Sequence, residues 1–101
     1  MSKSIEFREA IDEAATKLRN NPGPSTIWAL REIIGKADSH YNDPYLHTFT
    51  GAAMRHLDAA LKFKRHDKVK FEIDMALDRV VQIPSGLDVA DDRKYGGKGV
   101  S

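Results

Sequence analysis

Three of the four histidines, His47, His56 and His66, fall within LHTFTGAAMRHLDAALKFKRHDKVK, Leu46 to Lys70. Histidine is the side chain best suited to proton transfer and metal ligation near neutral pH. Helical zinc sites place two histidines four residues apart, and no pair here has that spacing. His56 and His66 are ten apart, while His40 and His47 straddle a helix break at NDP. Asp74 and Asp78 share one helix face and Asp58 lies on another helix, a sparse set for holding magnesium with lysines and arginines close by. The chain has no cysteine, which excludes disulfides, thiolate metal sites and cysteine nucleophiles. No serine sits in a G-x-S-x-G elbow, and GGKG at 96–99 lacks the strand and helix that a phosphate loop needs. No catalytic constellation is legible, and a non-enzymatic protein without metal or cofactor is expected.

The densest charge lies at the end of the same stretch. From Arg55 to Lys70 there are six Lys or Arg against two Asp. Phe63 is interleaved with Lys62, Lys64 and Arg65, and Lys68 and Lys70 follow. Cations beside an aromatic ring can contact phosphates and stack a base, so Arg55, Lys62, Phe63, Lys64, Arg65, Lys68 and Lys70 are candidate nucleic-acid contacts. The formal charge of the whole chain is only +1, which gives no global electrostatic reason for such a partner. Lysines at the end of a helix also serve solubility and the helix dipole.

Two local patterns resemble known families. HTFTGAA, His47 to Ala53, resembles the segment around the phosphorylated histidine of histidine phosphotransfer domains, which are small four-helix bundles. The resemblance implies His47 as phospho-acceptor and Gly51 as the small residue leaving room for a docked regulator. Thr50 stands where that family has lysine, and Asp43–Pro44 starts the helix just before His47. GAAMRHLDAAL, Gly51 to Leu61, is similar to a helix of small phage nucleotide pyrophosphohydrolases, which implies nucleotide contact through Arg55 and His56.

These residues must be positioned by helices. Ser4 is an expected cap for a first helix with Phe7, Ile11, Ala14, Ala15 and Leu18 on one stripe. NNPGPS interrupts the chain. Ser25 then caps a second helix burying Ile27, Leu30, Ile33, Ile34 and Ala37, with Trp28 and Tyr41 beside that face and Gly35 inside it. Asp43 as N-cap and Pro44 as first residue open a third helix, with Leu46, Phe49, Ala53, Leu57, Ala60 and Leu61 inward. Charges at 64, 65 and 68 break the stripe's phase, so a helical hairpin with its elbow at 64–68 is expected, its second arm capped by Asp67. That arm carries Val69, Ile73, Ala76, Leu77 and Val80, and Pro84 is expected to stop it.

The expected fold is therefore all-α: a small bundle of about four helices over residues 1–84 and a flexible tail over 85–101. The hydrophobic share of 41% is slightly under the usual ~45–50%, which fits such a tail. Trp28, Tyr41, Tyr45, Phe71 and Met75 are candidate protein-interface residues, because exposed aromatic and methionine side chains are common binding anchors. Phe71 and Met75 lie off the main stripe of their helix, where they could form a second, dimer-making face. No apolar run approaches the ~18 residues of a membrane span, and a cytoplasmic location is expected. The functional expectation is a binding protein acting on another macromolecule, a protein first and a nucleic acid as the alternative. The size and style suit a phage or accessory-element adaptor or inhibitor.

Overall fold

A computed structural model of the protein describes residues 3–96. Five helices follow one another: α1 (Lys3–Asn20), α2 (Pro24–Tyr41), α3 (Pro44–Lys62), α4 (His66–Val80) and α5 (Ile83–Tyr95). The protein is all-α, and its core is built from the stripes on the first four helices together with α5. Leu18, Ile27, Leu30, Ile34, Leu46 and Leu57 are almost completely withdrawn from solvent. Leu61 departs from the expected stripe and is exposed. None of the described helices is long and apolar enough to cross a membrane.

The helix starts follow local chemistry. The cap of α2 is Gly23 rather than Ser25, with extended backbone. Pro24, whose ring pre-sets the helical φ, takes the first helical position. Thr26 completes the turn: its hydroxyl accepts from the Gly23 amide at 3.1 Å and donates to the Asn21 carbonyl at 2.8 Å. Asn42 ends α2 in the left-handed region at φ 49°, a conformation asparagine tolerates. Asp43 caps α3 as expected, accepting from the Tyr45 and Leu46 amides. The hairpin elbow occupies 63–65, and α4 begins at His66 with Asp67 inside its first turn, where the dipole favours a carboxylate.

The expected flexible tail is corrected by α5. Residues 85–95 are helical and packed: Ile83, Gly86, Leu87 and Ala90 are buried, at helical spacing. Pro84 does not end structure but opens this helix in its first turn, and Gly96 closes it at φ 75°. Residues 97–101 of the expected tail lie outside the described residues. Tyr41, an expected interface residue, is likewise corrected, being only 6% exposed. Its hydroxyl donates to Asp91 of α5 at 2.7 Å. Burial, and then the bond to Asp91, push the phenol far above its ordinary pKa. Two further contacts tie α5 down, Arg93 to Asp43 at 3.2 Å and the His40 ring to the Tyr95 hydroxyl at 2.8 Å.

Two helical glycines separate by what surrounds them. A Cβ on Gly86 would lie 2.9 Å from Leu46 Cδ1 and 3.2 Å from the Leu46 backbone, so α5 sits on α3 only because that atom is missing. A Cβ on Gly35 would meet Arg31 and Met54 at an ordinary 3.7 Å. Alanine gains up to ~1 kcal/mol of helix propensity at either position, whereas overpacking costs roughly 1–3 kcal/mol. Gly35→Ala is expected to raise the urea midpoint by the equivalent of about 0.5–1 kcal/mol. Gly86→Ala is expected to lower it despite the same propensity gain.

Candidate binding groove at the hairpin elbow

α4 lies against α3 along the hairpin and meets α1 only weakly. α5 packs on both α1 and α3, closing the opposite end of the bundle. The seam between α1 and α4 is therefore left open at the elbow end, as a groove of about 540 Å³. Leu18 and Ile27 line it from the α1–α2 side, Val69, Ile73 and Leu77 from α4, and Leu61 and Phe63 from the elbow. A smaller hollow of about 340 Å³ continues along α1 towards Val80, Ile83 and Leu87, and Arg19 borders both. The apolar side chains are α4's inward stripe meeting α1's stripe across a gap. Leu61 and Phe63 stand 39% and 41% exposed at its mouth and carry the apolar lining out to the surface.

The elbow beside the groove is positively charged. Two elbow cations are paired, Arg65 with Asp67 at 3.0 Å and Lys70 with Asp74 at 3.2 Å. Lys68 sits over the Phe63 ring at 5.6 Å. Arg19, Lys62 and Lys64 form no ion pair among the described residues. Of the seven expected nucleic-acid contacts, Lys62, Phe63, Lys64, Arg65, Lys68 and Lys70 are exposed on the elbow and the helix ends beside it, and Phe63 and Lys70 line the groove. Arg55 is exposed on α3, seven residues before Lys62.

The expected protein-interface residues do not converge. Trp28 is 59% exposed on α2, where its ring lies 5.8 Å from the Arg31 guanidinium, itself bonded to Asp58 at 2.8 Å. Position 28 points off the stripe of Ile27, Leu30 and Ile34, which leaves the ring in solvent. Tyr45 is 41% exposed and edge-on to Phe49, and Phe71 is 58% exposed on α4 with Met75 half-buried one turn on. No ring contact joins Trp28, Tyr45 and Phe71 to one another among the described residues.

The histidines are placed apart. His47 is exposed, and its Nδ1 faces Asp38 at 3.1 Å while the ring lies against Gly51. Thr50, where phosphotransfer domains carry lysine, is fully buried and donates to the same Asp38 at 2.8 Å. His56 pairs with Glu72 at 2.7 Å, tying α3 to α4, and His66 lines the groove. Asp58 and Asp74 are each held by a cation, on Arg31 and Lys70. Among the described residues no three His, Asp or Glu side chains converge as metal ligands. The roles of Leu61 and the α1–α4 gap were not readable locally, since a gap belongs to the packing of distant segments. No family model, curated protein or solved structure matches the chain.

Proposed function

We propose that the protein is a non-enzymatic interaction module that receives a helical segment of another protein in the α1–α4 seam. The observation that carries this is the open apolar groove at the elbow, whose volume of about 540 Å³ and apolar walls suit a few buried side chains. Helix-in-groove recognition needs an apolar trough with a polar rim, and this trough has both. A nucleic-acid reading is favoured by one observation, the half-exposed Phe63 between the unpaired Lys62 and Lys64. Self-association would instead use the outer face of α4, where Phe71 is exposed.

One set of variants separates the three. Leu61→Asp places a charge at the groove mouth without opening the core, because Leu61 is already 39% exposed. Its partner affinity is expected to fall at least about tenfold, the effect of losing ~1.4 kcal/mol at an interface anchor. Phe71→Asp is expected to leave that affinity unchanged. Capture from nuclease-treated native lysate, quantified for wild type and both variants, is the measurement. Equal capture by Leu61→Asp and wild type removes the groove from the proposal. Loss only with Phe71→Asp moves the interface to the outer face of α4.

A further inference from the structure

We infer that the segment received in the seam is acidic: an amphipathic helix whose apolar stripe is flanked by carboxylates at the end lying by the elbow. The inference rests on the groove reading above and adds the chemistry of the occupant. The groove has apolar walls of Leu18, Ile27 and Ile73, which ask for aliphatic or aromatic anchors. Of the Lys and Arg side chains that line it, Lys70 is paired and Arg19 has no counter-ion among the described residues. Among the described residues the one carboxylate lining it, Asp74, is taken by Lys70 at 3.2 Å. Arg19 borders the groove and, with Lys62 and Lys64 beside Phe63, makes no ion pair among the described residues. The chain as a whole is nearly balanced at +1, so this local excess is a property of the elbow.

The far end of the seam differs. Around the smaller hollow Arg8 stands with Glu9 and Asp12, and Arg19, already counted at the elbow, borders it too, so this end has no excess of cations. The seam is thus polar in one direction only, and it orients an acidic helix with its carboxylates towards the elbow. Opposite charge across an interface governs partner choice and association rate more than final affinity, and salt weakens it. A nucleic acid fits the seam less well. Its phosphates would find the cations, but the aliphatic walls offer nothing to a sugar-phosphate backbone, and Lys68 occupies one approach to Phe63.

The test uses three synthetic peptides of about fifteen residues, roughly the length of α4, sharing leucines at i, i+4 and i+7. Their flanking positions are glutamate, lysine or glutamine. Binding is read by isotope-edited NMR of the full chain and by calorimetry at low and raised salt. The glutamate peptide is expected to bind about tenfold more tightly than the lysine peptide, with shifts centred on Leu61, Phe63 and Ile73. The exposed pair Lys62→Glu and Lys64→Glu should remove most of that preference. Equal or tighter binding of the glutamine or lysine peptide in the groove overturns the acidic inference while the groove reading stands. If none of the three shifts groove resonances, and Leu61→Asp leaves lysate capture intact, the groove reading falls as well. Displacement of the glutamate peptide by a single-stranded oligonucleotide, shifting the same resonances, assigns the elbow to nucleic acid and overturns the inference. A sedimenting dimer that the glutamate peptide does not dissociate assigns the seam to a second copy, with the same consequence.

Discussion

Replacing Leu87 by alanine is expected to destabilise the protein by about 2–5 kcal/mol, and ending the chain after Gln82 to abolish its cooperative thermal transition. Leu87 is 1% exposed and lies one turn after Ile83, which is 0% exposed. Both face the gap that α4 leaves on α1 and α3, and α5 is the element that fills it at this end. Truncation also takes away Asp91, leaving the Tyr41 hydroxyl without the acceptor it has at 2.7 Å. Water can replace that acceptor once α5 is gone, so the loss is chiefly the apolar burial of Ile83, Leu87 and Ala90. Domains are stable by only about 5–15 kcal/mol in total, so these losses exceed what a small bundle can absorb. Circular dichroism melts of the variant and the shortened chain check it. A shortened chain that melts cooperatively at an unchanged temperature would show that α1–α4 form a complete fold, with α5 an accessory.

The contrast between α5 and its predecessors shows what the residues made legible. Ile11, Ala15 and Leu18, or Ile27, Leu30 and Ile34, are large side chains at helical spacing, and burial follows the stripe. In α5 the stripe is Ile83, Gly86, Leu87 and Ala90, at the same spacing. Two of its four members are small, so the periodic signal is faint although the helix is packed. Pro84 reads as a stop only if the helix before it is assumed to run that far. With α4 ending at Val80, it becomes the usual proline of a first turn. Gly86 reads as flexibility in the sequence and as close approach in the fold, because the cause is Leu46, forty residues away, which an added Cβ would meet at 2.9 Å. The elbow's cations were legible as a cluster. That they edge an apolar groove was not, since the groove arises where α4 chooses α3 over α1 as its neighbour. Leu61 lies one turn from the buried Leu57 on the same stripe, yet it reaches the open end of the seam and remains exposed.

Asp43→Ala is expected to cost about 2–3 kcal/mol, and Asp43→Asn less than about 1 kcal/mol. The Asp43 side chain is 6% exposed and carries two kinds of contact at once. It accepts from the backbone amides of Tyr45 at 2.9 Å and Leu46 at 3.2 Å, which belong to the first turn of α3 and have no intrahelical partner. It also accepts from Arg93 of α5 at 3.2 Å, but that side chain is 56% exposed. An ion pair with so wet a partner contributes little, so the caps should account for nearly all of the effect. Asparagine caps about as well as aspartate and removes only the charge, whereas alanine orphans both amides beside the fully buried Leu46. Urea denaturation of the two variants gives the difference directly, and hydrogen exchange at Tyr45 and Leu46 locates it. Equal losses for asparagine and alanine would transfer the effect to Arg93, making the α3–α5 ion pair the stronger tie. The expected order, alanine well below asparagine, means that the start of α3 is fixed by the side chain at its cap. His47, one residue after the capped turn, and the long arm of the hairpin that carries the elbow groove are positioned from that same point.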